Sequence, residues 1–121
     1  DAMKKMYFVE GMELFDGGET AVAAVDLAMV AQLGADERDL EDIASFVGQV
    51  EGVKNAITIR ELRPGTCKLS LRTDPEVLNA SRVCALLGGG GHAAASGATV
   101  EGSVEEAKRA ILWAIEQVRH G

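Results

Sequence analysis

Thr66-Cys67-Lys68-Leu69-Ser70-Leu71-Arg72-Thr73 alternates without a break, with Cys67, Leu69 and Leu71 on one side and Lys68, Ser70 and Arg72 on the other. Successive side chains of a strand point to opposite faces, so this octapeptide reads as a half-buried β-strand. Upstream, Val53 to Leu62 reads as a second strand, with Ile57 and Ile59 on one face and Thr58 and Arg60 on the other. Pro64-Gly65 joins the two as a type II turn, proline presetting φ and glycine taking the positive φ that follows. Downstream, Asp74-Pro75 predicts an N-cap and first helical residue. That helix would carry Val77, Ala80, Val83, Cys84 and Leu87 inward and stop at Gly88. Ala98 to Glu101 reads as a strand, and Ser103-Val104-Glu105-Glu106 as a capping box. A last helix then runs to about His120, with Val104, Ala107, Ile111, Ile115 and Val118 inward and Leu112 and Trp113 off that stripe.

Toward the N-terminus, Met6 to Phe15 and Thr20 to Leu27 read as strands around an Asp16-Gly17-Gly18 turn. Ala28 to Leu33 reads as a short helix stopped by Gly34. A second helix follows the acidic Asp36-Glu37-Arg38-Asp39 start, where negative charge suits the dipole. Leu40, Ile43, Ala44 and Val47 give it an apolar stripe, and Gly48 or Gly52 ends it. The order is β-β-α-α-β-β-α-(Gly-rich)-β-α. It predicts one α/β (α+β) domain over residues 1–121, a mixed sheet of about five strands with helices packed on it and a Gly-rich loop between a helix and a strand.

Composition sets the outer bounds. The chain has 121 residues, 47% hydrophobic and 26% charged, which fits one ordinary folded domain and excludes disorder and collagen-like repeats. No apolar run approaches the ~20 residues of a membrane span, and nothing in the first residues given resembles a signal peptide. Two cysteines, Cys67 and Cys84, make no disulfide framework or metal-ligand spacing, so a reducing cytoplasm is expected. Net charge is −7, but unevenly placed: residues 1–59 carry 12 acidic and 4 basic side chains, residues 60–121 carry 7 and 8. An anionic partner belongs with the second half. The chain starts at Asp1 rather than methionine, which points to a fragment of something longer.

Glycine is the compositional outlier at 14 residues, four of them consecutive: Gly88, Gly89, Gly90 and Gly91, followed by His92-Ala93-Ala94-Ala95-Ser96-Gly97. Such a run costs backbone entropy. Three readings are open: a flexible linker, a helix C-cap with extra length, or backbone brought close to a ligand with N–H groups aimed at an anion. The run is neither the dinucleotide fingerprint nor a P-loop, lacking the leading strand of the one and the Lys-Ser/Thr ending of the other. Lys68, Ser70 and Arg72 are the second candidate. Two cations and a hydroxyl at period two suit a phosphate, yet the same three fit the solvated face of an edge hairpin. No nucleophile–base pair or metal cluster emerges, so the chain reads as a binding module.

The segment Gly88 to Gly97 resembles the Gly-Gly-Gly-His-x-x-Ala-Ala-Gly signature of the DHH-associated C-terminal domain of DHH-family phosphoesterases. Ser70-Leu71-Arg72, the stretch from Val100-Glu101-Gly102 to Ala107, and the run from Leu33-Gly34-Ala35 through Asp39-Leu40-Glu41-Asp42 to Glu51-Gly52-Val53 resemble the same family. The four glycines and this last run are more similar to the oligoribonuclease and 3′-phosphoadenosine-5′-phosphate phosphatase branch than to the RecJ exonucleases or alanyl-tRNA synthetase.

The resemblance implies a substrate-binding half of a larger manganese-dependent phosphoesterase, with Mn2+ in a DHH domain absent from this chain. It implies Arg72 on substrate phosphate, His92 and the backbone of Gly89 to Gly91 on the phosphate-facing wall, and Ser96 and Gly97 just behind. Expected partners are a short oligonucleotide or nucleotide phosphate and the parent's own DHH domain, with no membrane; the alternative reading, from the residues, is a non-catalytic assembly module that forms a homodimer through the helix face around Leu112 and Trp113. Two departures stand out: Ala95-Ser96-Gly97 replaces Ala-Ala-Gly, and Ala93 follows the histidine where relatives often carry lysine.

Overall fold

The computed structural model describes residues 12–34 and 36–120. Six strands make one sheet: β1 (Glu13–Phe15), β2 (Thr20–Val25), β3 (Asn55–Arg63), β4 (Thr66–Thr73), β5 (Gly90–His92) and β6 (Ala95–Glu101). Their order is β1-β2-β3-β4-β6-β5. Only β2 and β3 run parallel, because two helices, α1 (Leu27–Leu33) and α2 (Glu37–Val47), supply the crossover that a parallel pair requires. The other pairs are antiparallel. The expected strand over Met6 to Phe15 lies mostly outside the described residues, as do the side chains of Leu40 and Ala44.

Strand alternation divides the core in two. Cys67, Leu69 and Leu71 are fully buried with Val22, Ile57 and Ile59 beneath α3 (Ala80–Ala85) and α4 (Val104–His120). Burial pushes the Cys67 and Cys84 thiols up, as expected of core cysteines. On the opposite face, Ala21, Ala23, Val25 and Ala56 meet Ile43 and Val47 of α2. That second cover stops at β3 and leaves β4 and β6 open.

Local chemistry explains most helix ends. Asp26 caps α1 by accepting from the Met29 N–H at 2.8 Å, and Gly34 closes it with φ 62°. Asp36 and Asp39 cap α2 reciprocally, each carboxylate accepting the other's N–H at 2.9 and 3.0 Å. The Ser103–Glu106 capping box forms as expected, with both bonds at 3.1 Å.

Two expectations are corrected. No helix starts at Asp74; its carboxylate and carbonyl close a turn with Glu76, Val77 and Leu78. The helix starts after Asn79, which accepts from the Arg82 N–H at 3.1 Å. Leu78, not Val77, reaches the core, at 3% against 44% exposure. The sheet has six strands rather than about five, because half of the glycine run is itself a strand.

That run does two jobs. Gly88 (φ 81°) ends α3 in a Schellman motif, its N–H donating to the Ala85 carbonyl at 3.1 Å and the Gly89 N–H to Cys84 at 2.9 Å. Gly90 and Gly91 then pair with Gly97 and Ser96 as β5. The approach is close: a Cβ on Gly89 would collide with the Gly97 carbonyl, and one on Gly91 would stand 2.7 Å from Ser96 Cα. Gly90 differs, with no atom within 4 Å of its Cβ position and no positive φ.

A polar cluster ties the two ends of the chain. Asn55, fully buried, turns its amide oxygen to Arg119 (3.0 Å) and Thr20 (3.2 Å) and its nitrogen to the Lys54 carbonyl (3.2 Å). Arg119 also donates to Asp16 Oδ2 at 2.8 Å, and Lys108 of α4 holds Glu13 of β1 at 2.6 Å.

Two predictions follow from this architecture. Gly89→Ala should lower stability by about 3 kcal/mol through overpacking against β6, whereas Gly90→Ala should stay within about 0.5 kcal/mol, as read by denaturant unfolding. The hydrogen bond from Arg119, helped by Thr20, holds the Asp16 carboxyl below its usual range. A depressed folded-state pKa gives stability that is present above the unfolded carboxylate value of about 4 and lost as pH falls through the folded value. On acidification from about pH 6 to about pH 2 the wild-type Tm should therefore fall further than that of Asp16→Asn. Asparagine also tolerates the local φ of 55°, so the substitution isolates the charge.

Candidate functional site

Register decides which side chains share the open face. Arg72 stands between Ala56 of β3 and Ala95 of β6, Ser70 between Thr58 and Gly97, and Lys68 between Arg60 and Thr99. Directly paired residues point to the same side of a sheet. The neighbours of Arg72 and Ser70 are small, so these two polar side chains line a floor that nothing large covers. Helix α2 forms the wall, contributing Asp42 and Ser45, and encloses a groove of about 580 Å3. Among the described residues its lining includes Arg60, Lys68 and Arg72 and the carboxylate of Asp42.

Arg72 is exposed, and its Nη1 donates to Ser45 Oγ at 3.2 Å across the groove mouth. A second hollow of about 540 Å3 lies beyond that bond, lined by Gln49, Lys54, Thr73 and Asp74, with Ser45 and Arg72 common to both. Lys54 is engaged there by Glu19 at 3.3 Å.

Strand β5 extends the same face. His92 pairs with Ala95, and Ala95 with Arg72, so His92 and Arg72 occupy one row two strands apart, about 10 Å at the usual strand spacing. Gly90 occupies the next row with Gly97 and Ser70. The hairpin tip beside His92 is clasped from outside: Thr73 N–H donates to the Ala94 carbonyl (2.9 Å), Ala80 N–H to Ala93 (2.8 Å), and Thr73 Oγ1 lies 3.1 Å from the Ala93 carbonyl. The clasp sets how far β5 stands from the end of β4.

The expected site residues thus separate into groups. Lys68, Ser70, Arg72, Gly90, His92 and Gly97 share one face. Gly88 and Gly89 cap α3 with N–H groups that donate within the chain. Gly91 pairs with Ser96 on the opposite face, and Ser96 Oγ donates to the Ala80 carbonyl at 2.6 Å, away from the groove. The hydroxyl that departs from the family pattern therefore fastens α3 to β6. Sequence reading missed Ser45 and Asp42 as wall residues, since nothing local reports which polar positions of α2 overhang β4. Arg60 was legible, alternating with Ile59 on the polar side of its strand. Trp113 is 53% exposed on α4, while Leu112 packs against the main core.

Among the described residues no three His, Cys, Asp or Glu side chains gather as a metal-binding group, and no helix is long and apolar enough to cross a membrane. The donors on the open face are cationic or hydroxylic, which suits an oxyanion rather than a cation.

A DHHA1 domain profile matches residues 18–120. The bifunctional oligoribonuclease and PAP phosphatase NrnA of Thermus thermophilus is 33% identical over 82 residues, covering 67% of this chain and 25% of that protein. The chain therefore spans about a quarter of the length of the relative it matches. An exopolyphosphatase-related protein from Bacteroides fragilis superposes with a TM-score of 0.82 at 21% identity, over 96% of this chain and 34% of the other. The pGpG-specific phosphodiesterase PggH from Vibrio cholerae superposes at 0.63 and 15% identity, over 98% and 39%. At such identities these two structures speak for the fold alone. The profile match, running from the turn before β2 to the last residue of α4, makes this chain a member of the DHHA1 domain family.

Proposed function

We propose that this chain is the substrate-holding domain of a DHH-family phosphoesterase, taking the phosphate of a nucleotide or short oligonucleotide on the face shared by Arg72 and His92. The observation that carries this reading is their placement in one row, with Gly90 beside them as a glycine that neither φ nor packing requires. A side chain at 90 would project from the sheet on the ligand's side; its absence leaves room for close approach. The Arg72 guanidinium offers two parallel N–H donors to phosphate, exchanging its neutral bond to Ser45 for charge-assisted ones. His92 adds a ring N–H donor from the neighbouring edge, and Ser70 a hydroxyl from the floor.

Manganese, which the family resemblance assigns to a DHH domain, belongs in this reading to residues outside the chain. In this reading the part of Arg72, His92 and Ser70 is to bind and orient the phosphate. The similarity to NrnA supports the nucleotide class of ligand.

Titration of this chain with adenosine 3′,5′-bisphosphate and with a dinucleotide, followed by heteronuclear NMR, tests the site. Shifts should concentrate at Arg72, Gly90, His92 and Gly97. Arg72→Ala should weaken binding about tenfold or more, as befits loss of a charge-assisted bond worth about 1.5–3 kcal/mol. Gly90→Val should fold normally and bind poorly. Gly90→Val binding like wild type, or shifts confined to other surfaces, would defeat the assignment.

A further inference from the structure

The second hollow, beyond the Arg72–Ser45 bond, has a chemistry of its own. Asp74 extends the line of β4 by one residue: its N–H donates to the Lys54 carbonyl at 3.1 Å, continuing the ladder in which Asn55 faces Thr73. Alternate residues of an extended chain share a side, so Asp74 stands on the side of Arg72, about 7 Å away, and both line the hollow. Two cations border this carboxylate, yet among the described residues neither pairs with it: Arg72 donates to Ser45, and Lys54 pairs with Glu19. Asp74 Oδ1 accepts from the Glu76 N–H at 3.0 Å, which fixes the carboxylate at the rim. Val53 and Ala56 add apolar surface, and Gln49 an amide from α2. At about 540 Å3 the hollow is large enough for a nucleoside.

A carboxylate repels a phosphate and accepts hydrogen bonds from hydroxyls. Asp74 therefore suits the uncharged, hydroxyl-bearing part of a ligand whose anionic part lies on Arg72. We infer that the second hollow is a ribose subsite, in which Asp74 accepts a hydrogen bond from the 2′-hydroxyl of the nucleotide held by its phosphate at Arg72. The inference rests on the reading of Arg72 as a phosphate residue and adds a sugar to it. Residues on one side of a strand, one step apart, match the short span between a phosphate and the hydroxyl of its own ribose. A deoxyribonucleotide brings its phosphate to Arg72 with the carboxylate still beside it and no hydroxyl to offset the repulsion. The hollow thus selects ribonucleotides over deoxyribonucleotides.

The test titrates this chain with adenosine 3′,5′-bisphosphate and with its 2′-deoxy analogue, followed by heteronuclear NMR. Wild type should hold the ribose form about tenfold more tightly, the usual worth of one charge-assisted hydrogen bond. The Asp74 amide should also shift further with that probe. Asp74→Asn keeps an oxygen for the Glu76 N–H but can turn only an amide donor to the hollow. It should bring the two affinities within about twofold of each other. With the repulsion gone, it should hold the deoxy probe at least as tightly as wild type, whereas a purely structural role would weaken both probes alike. Arg72→Ala should weaken both probes and keep their ratio. A wild type that holds the two equally, an Asp74→Asn that keeps the preference, or one that loses both probes alike would overturn the ribose subsite while Arg72→Ala still upholds the phosphate reading. If neither probe binds, or Arg72→Ala weakens neither, that reading fails, and the ribose subsite with it.

Discussion

Everything in this structure hangs on the two-faced alternation of β4 at the centre of the sheet. Three consecutive odd-numbered side chains, Cys67, Leu69 and Leu71, are fully buried beneath α3 and α4, and the even-numbered ones between them are excluded from that core. A shift of one residue would bury Lys68 and Arg72, at a desolvation cost no neighbouring carboxylate offsets. The core therefore fixes the groove: the register that hides the leucines is the register that presents the cations. Packing energy and the placement of the polar face are one constraint read from opposite sides.

The second constraint is closeness. Strand β5 reaches its place only because Gly89, Gly91 and Gly97 leave no side chains between it, β6 and the backbone of β4. The hairpin tip is then held by Thr73, Ala80 and Ser96 through hydrogen bonds to backbone carbonyls. His92 thus sits on a short edge strand fastened by its surroundings rather than on a free loop. Such fastening sets the distance between His92 and Arg72 in the free chain, which on the proposed reading limits the ordering cost of binding.

Charge is distributed to the same end. A chain of net −7 places eight of its twelve cations in the half that builds β4, β6 and the glycine segment, while acidic residues crowd the first half. On the proposed reading, such a distribution favours a small anionic ligand over a long nucleic acid, whose many phosphates would meet the acidic surface.

Local rules were legible in the residues themselves. The strand Thr66 to Thr73, the turn at Gly65, the Ser103 capping box, the glycine stop at Gly34 and the polar set Lys68, Ser70, Arg72 each depend on neighbours a few positions away. The Asp74-Pro75 start was misleading because a proline-led turn and a helix begin alike, and only the fit of Leu78 into the core separates them. The glycine run allowed a cap, a linker or a ligand loop; two of its members prove to be a helix cap and two a strand. What no local pattern contained was the placement of α2 over β3, which brings Ser45 to Arg72, and the pairing that sets His92 in the row of Arg72 and Lys68 opposite Arg60. The sequence alone determined which residues face which way along each strand, because that period is a property of the chain. Only the tertiary structure decided which strands lie side by side, because pairing depends on how distant apolar faces close on a common core.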